Sequence, residues 1–300
     1  MAVIHHRYAD IEGHRLFYRE AGPANAPTLV LLHGYPTSSH MFRGLIPLLA
    51  EEYRVIAPDH LGFGLSDAPG VEDFEYTFDA LAHLTARLLA RLGITRYAIY
   101  VHDYGAPIGW RLALSDAKAI TAVVSQNGNA YEDGFVESFW ESIWAYAERQ
   151  DAETERALRP ALSQQAIRWQ YLTGAPDPTL VDPTTWRHDA ALIARPGNDL
   201  IQLRLFRDYA SNRPLYPRLQ EYFRSSQVPL LALWGRGDEI FGPAGAEAFA
   251  RDLPEARIEL WDTGHFLLET HLNEAAATIR EFLGEAVGRG RAEGAPTAGH

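Results

Sequence analysis

The stretch Y-A-I-Y-V-H-D-Y-G-A-P-I-G-W at positions 97–110 decides how this chain folds. Tyr97 to Val101 alternate aromatic and aliphatic side chains, the pattern of a buried strand, and 106–114 can continue as a helix. Asp103 sits between the two. Val101 and Gly105, two residues away on either side, are compact, as a sharp strand-to-helix turn requires, because bulk there collides with backbone. Such a turn is a nucleophile elbow, a strained corner that holds one side chain clear of the sheet beside the first N–H groups of a helix. The side chain presented here is a carboxylate rather than a hydroxyl.

Working outward, 28–32 is a continuous apolar run, a buried strand that ends at His33-Gly34-Tyr35-Pro36. Thr37-Ser38-Ser39 can cap a helix running to about 51. A strand over 54–57 leads into Pro58-Asp59 and the loop Gly62-Phe63-Gly64, and a helix over 78–92 precedes the elbow strand. Upstream, two alternating runs around Glu12-Gly13-His14 predict a hairpin. Downstream, 120–125 is another strand. After Asn127-Gly128-Asn129 the rhythm breaks: 130–226 is rich in Trp, Tyr, Arg, Gln and Glu at helical spacing, divided by prolines, with no clear strand. Alternation resumes with a strand at 229–234, a helix at 244–251, a strand at 258–261 and a last helix to about 286. The expected fold class is α/β, a mostly parallel sheet with helices on both faces. Its core is built from 1–129 and 227–286, a helical cap from 130–226, and 287–300 is a small, polar tail expected to be disordered.

Composition narrows the functions open to such a fold. Of 300 residues 47% are apolar, ample for a buried core, and the formal net charge of −12 argues against nucleic acid and anionic membranes as partners. With no cysteine there is neither a disulfide nor a thiol nucleophile. The N-terminus lacks a signal-peptide pattern and no run approaches the roughly 20 apolar residues of a membrane span, so a cytoplasmic location is expected.

Three residues of different chemistry stand at strand ends: Asp103, Asp238 and His265. Groups at the carboxyl ends of parallel strands converge even when distant in sequence. A carboxylate at an elbow can attack carbon and form an ester, an imidazole can direct water at that ester, and a second carboxylate can fix the imidazole's tautomer. Glu239 and Asp262 compete with Asp238 for the last role. Gly64-Leu65-Ser66-Asp67-Ala68 imitates a serine elbow, but no strand leads into it and Pro69-Gly70 blocks a helix, so Ser66 reads as a turn residue. His5, His6, His83 and His102 lack metal-ligand spacing, and the Gly62/Gly64 loop matches neither a Walker nor a dinucleotide pattern.

Taken together, H-G-Y-P at 33–36, P-D-H-L-G-F-G-L-S-D at 58–67, H-D-Y-G-A-P at 102–107, W-G-R-G-D at 234–238 and T-G-H-F at 263–266 resemble the α/β-hydrolase superfamily in its epoxide hydrolase and haloalkane dehalogenase branch, over nearly the whole chain. The resemblance implies Asp103 as nucleophile, completed by Asp238 and His265, with the backbone N–H groups of Tyr35 and Tyr104 as oxyanion hole and the helical segment as lid. It also implies that Tyr209, and Tyr146 in competition with Trp144, Tyr131 and Tyr171, donate O–H bonds to the oxygen of an opening epoxide. Halide release would call instead on an indole directly after the nucleophile, where this chain has Tyr104, and on an Asn or second Trp elsewhere, whereas Tyr35 follows His33-Gly34. The function so implied is hydrolysis of small apolar epoxides to vicinal diols, needing water but no metal or organic cofactor, by a monomer or homodimer. A dehalogenase with the same triad and a non-catalytic binding protein on this fold are the alternatives. Lid aromatics, Trp140 and Trp144 foremost, are candidates to line an apolar substrate pocket.

Overall fold

The structure is a computed structural model and describes residues 2–293. One sheet holds eight strands: β1 (His5–Ile11), β2 (His14–Ala21), β3 (Thr28–Leu32), β4 (Arg54–Pro58), β5 (Tyr97–His102), β6 (Ile120–Gln126), β7 (Leu230–Gly235) and β8 (Arg257–Trp261). Their spatial order is β1-β2-β4-β3-β5-β6-β7-β8. β1 and β2 form the expected hairpin, with Glu12 and Gly13 both at positive φ, and β2 runs antiparallel to β4. All other neighbours are parallel. Helices cover both faces, which is why β3, β5 and β7 carry continuous apolar runs instead of alternation and are buried along almost their whole length.

The helices are α1 (Leu45–Leu49), α2 (Phe78–Arg91), α3 (Gly105–Ser115), α4 (Glu137–Arg149), α5 (Ala152–Leu158), α6 (Gln164–Leu172), α7 (Pro183–Ile193), α8 (Asn198–Asp208), α9 (Tyr216–Ser226), α10 (Ala244–Glu247) and α11 (Leu272–Glu293). The step from β3 to β4 runs one way along the sheet, and the steps from β5 to β6, β7 and β8 run the other. Right-handed crossovers then place α1 on one face and α2, α3 and α9 on the other; α11 packs with α1, and α2 and α9 with α3. The direction reverses between β3 and β5, so a crevice opens at their carboxyl ends, where Tyr35 and Asp103 lie.

Three expectations change. The helix expected over 37–51 is a 3-10 turn, Ser39–Phe42, followed by the separate α1. Pro47 has no N–H to offer the Arg43 carbonyl, so a continuous helix through Gly44 would lose a rung there. Ser38 does cap the turn, accepting the His40 N–H at 3.3 Å. The inserted material ends sooner than 226, because α9 packs on α3 and sets Phe223 edge-on against Trp110 and Phe249. It is the crossover helix that a parallel β6–β7 pair needs. The last helix runs to Glu293, past the expected end at 286, while 294–300 lie outside the described residues.

Candidate active site

Asp103 follows the last residue of β5 with φ at +49°, the left-handed region a non-glycine residue enters only under constraint. The constraint is local packing. A Cβ at Gly105 would overlap the Leu32 carbonyl, and one at Gly34 would overlap the Asp103 side chain itself, so two strands close tightly on the corner only because both positions are glycine. Asp103 Oδ1 accepts the backbone N–H groups of Tyr35 and Tyr104, each at 2.6 Å. Its other oxygen, Oδ2, faces His265 Nε2 at 4.0 Å. The two carboxylate oxygens therefore have different surroundings: one is gripped, and the other is held by no hydrogen bond among the described residues.

The loops after β7 and β8 bring up the rest. His265 Nδ1 lies 2.8 Å from Asp238 Oδ2; a carboxylate only accepts, so Nδ1 carries the proton and Nε2, which has no partner, is the basic nitrogen. Glu239 and Asp262 make no such contact among the described hydrogen bonds, which decides the competition for this position. Asp238 is held in turn by the Ile240 N–H at 2.7 Å and by Asn127 Nδ2 at 2.8 Å. Gln126 donates its amide to the His265 carbonyl at 2.9 Å. Sequence reading passed over Gln126 and Asn127 because Asn127-Gly128 reads as turn chemistry; Asn127 is indeed at positive φ, 46°, and its side chain is what reaches the acid.

The electrostatics follow from burial. Asp103 is 5% exposed and His265 2%. Desolvation raises the Asp103 pKa to about 6, against the opposing pull of His265 and the two N–H donors. Burial lowers the His265 pKa, but the charge and hydrogen bond of Asp238 and the charge of Asp103 together outweigh it, so the net shift is upward. Beneath the oxyanion loop, His33 accepts the His60 N–H on Nε2 at 3.0 Å, so its Nδ1–H donates to the Gly34 carbonyl and braces the turn that aims Tyr35.

The lid residues divide. Tyr209, directly after α8, is fully buried, its hydroxyl has no partner among the described residues, and its ring lies 5.8 Å from that of Tyr104. Burial pushes its pKa well up, with the Asp103 charge among the contributors, so its proton stays on. Trp140 and Trp144 border it at ring distances of 4.4 and 6.3 Å, and the Trp140 indole N–H is already given to the Ile240 carbonyl at 2.8 Å. Tyr146 is not brought to the site. On α4 it lies about 120° around the helix from Trp140 at 100° per residue, and the charges that reach it are Glu155, Arg204, Arg207 and Arg159. Among the described residues no group of three His, Asp or Glu is placed to hold a metal, and no helix is long and apolar enough to cross a membrane. Ser66 sits outside the site, bonding the Phe17 N–H and the Asp59 carbonyl.

Known proteins agree with this architecture. A family model for the alpha/beta hydrolase fold matches residues 27–272. An uncharacterized hydrolase of Saccharomyces cerevisiae is 44% identical over 93% of this chain and 97% of its own. Among solved structures, a haloalkane dehalogenase from Bradyrhizobium elkani superposes with a TM-score of 0.79 at 23% identity, over 96% of this chain and 100% of its own. An epoxide hydrolase superposes with a TM-score of 0.73 at 21% identity, over 94% and 99%. The elbow, the sheet order and the length of the sequence match together make this chain a member of the α/β-hydrolase family.

Proposed function

We propose that this protein hydrolyses small apolar epoxides to vicinal diols in two steps. The observation that carries the reading is the unequal treatment of the Asp103 oxygens, with a buried, protonated and unpartnered Tyr209 hydroxyl beside the same crevice. Oδ2 attacks a ring carbon, the ring C–O bond breaks, and the Tyr209 O–H stabilises the oxygen that leaves and gives it a proton. Oδ1 becomes the carbonyl oxygen of the ester and is already seated between the Tyr35 and Tyr104 N–H groups, where charge develops when water adds. Each such donor is worth on the order of 3 kcal/mol of barrier. Ester formation also removes the Asp103 charge that holds the His265 pKa up, so the imidazole is more readily neutral when it must take a proton from water. Asp238 supports the imidazolium that results, and the water oxygen adds to the ester carbonyl carbon. The bond from that carbon to Oδ2 breaks, and the imidazolium gives its proton to the departing diol oxygen. The second water proton, shed as the Asp103 carboxylate re-forms, restores the Tyr209 hydroxyl.

Halide release is the weaker reading. The residue after the nucleophile offers no indole, and the Trp140 N–H is committed to Ile240. The charges that act on Tyr146 are Glu155, Arg204, Arg207 and Arg159 and not Asp103, so this reading gives ring opening to Tyr209. The test is a panel of epoxides and haloalkanes with the wild type and Tyr209→Phe. Diol formation that drops roughly a hundredfold in the variant, in line with loss of a positioned acid, supports the proposal. Halide release without diol formation would assign the dehalogenase, and turnover of neither class would leave a binding protein.

A further inference from the structure

Tyr209 belongs to a short 3-10 segment, Tyr209–Leu215, inside the inserted material, yet hydrogen bonds to the core hold the chain on both sides of Tyr209. Before it, Asp208 Oδ2 accepts the Phe78 N–H at the start of α2, at 2.7 Å. Within the segment, after Tyr209, Arg111 Nη1 donates to Asn212 Oδ1 at 2.6 Å and Nη2 to Ser211 Oγ at 3.2 Å. The same guanidinium bonds Asp79 in the first turn of α2 and the Pro107 carbonyl of its own helix. Its Cζ stands 5.8 Å from the Phe78 ring centre, and that ring meets Tyr104 and Tyr209 edge-on at 5.0 and 5.5 Å. The Arg111 side chain is only 10% exposed.

Arg111 sits on α3, the helix that opens at the elbow. A planar fork with five donors can serve these acceptors at once, which the single ammonium of a lysine cannot. From this we propose that Arg111 is the positioning residue for Tyr209, fixing the donor to the helix that begins at the nucleophile so that both reactive groups ride on one frame. The proposal rests on the reading of Tyr209 as ring-opening donor.

Two measurements test it, using Arg111→Met and Asn212→Leu, the second removing the acceptor from the other side should the first variant fail to fold. Hydrogen exchange should quicken by about tenfold or more in 208–215 and stay unchanged in β5. In single turnovers ester formation should slow roughly ten- to a hundredfold, the scale expected of a misplaced group, while ester hydrolysis keeps its rate. Millimolar guanidinium ion should restore part of the first step to Arg111→Ala, and Arg111→Met added to Tyr209→Phe should cost nothing more. Unchanged exchange in 208–215, equal loss in both steps or an additive double variant would overturn the proposal. A wild type that opens no epoxide would overturn the ring-opening reading and the catalytic half of this one, while hydrogen exchange would still decide the clamp.

Discussion

At the scale of single residues the site is a set of conflicts resolved in favour of chemistry. Asp103 combines a left-handed backbone, burial and a charge, each unfavourable for folding. Because its folded pKa of about 6 lies above the usual carboxylate range, the folded state holds a proton that the unfolded state releases, and stability falls as pH rises through that window. The cost is full above about pH 6 and gone below about pH 4. Asparagine tolerates the left-handed region and still offers one oxygen to the two N–H donors. Asp103→Asn should therefore abolish ester formation while raising the unfolding free energy at pH 8 by on the order of 2–3 kcal/mol, a gain that closes toward pH 4; urea unfolding at both pH values reads it. Ester formation in the wild type should fall away below about pH 6 as the same carboxylate protonates. His265 acts in the same sense on the second step, since it works as a base only when neutral, so hydrolysis of a preformed ester should also quicken as pH rises, read by stopped-flow pH jumps.

Elements explain which parts were legible. β3 and β5 announce themselves because strands covered on both faces cannot be confused with polar loops, and the elbow is written in glycines whose missing Cβ atoms are needed where they stand. Strand ends singled out Asp103, Asp238 and His265 but left Glu239 and Asp262 as rivals to Asp238, and the 2.8 Å contact with His265 separates them. Helical phase was harder: α4 is aromatic at 140, 144 and 146, and only the direction of packing sets Trp140 and Trp144 against Tyr209 while Tyr146, also buried, lies within reach of the charges of Glu155, Arg204, Arg207 and Arg159. α9 looked like lid because its exposed face is polar, although its buried face meets α3. Asn127 hid in a turn signature, yet it is how β6 supports the acid carried by β7. Replacing it by leucine leaves one oxygen of a buried carboxylate short of a donor, a loss of about 1.5–3 kcal/mol for a bond to a charged group. Asn127→Leu should slow ester hydrolysis about tenfold or more and leave ester formation nearly unchanged, which the two phases of a single-turnover trace separate.

For the whole molecule, the sheet supplies a rigid floor and the insertion a roof. Asp103, His265 and Tyr209 are all at most 5% exposed, so substrate reaches them only when the roof shifts. With 208–212 tied to α2 and α3, α4 tied to Ile240 through Trp140 and α6 stacked on Phe266 through Tyr171, the movement falls to α5, and its amides should exchange at least about tenfold faster than those of β5 and α3, by mass spectrometry on the intact chain; equal protection would mean a sealed interior. The net charge of −12 gives an uncharged substrate no electrostatic steering, so turnover should vary less than about twofold between 0.05 and 0.5 M salt. The most direct measurement of the central claim is the origin of the oxygen added to the first product. With enzyme in excess over epoxide in water enriched in oxygen-18, covalent attack by Asp103 requires that the first diol carry unlabelled oxygen and that the label appear in the Asp103 carboxylate. Label in that first diol, with none in the protein, would contradict it.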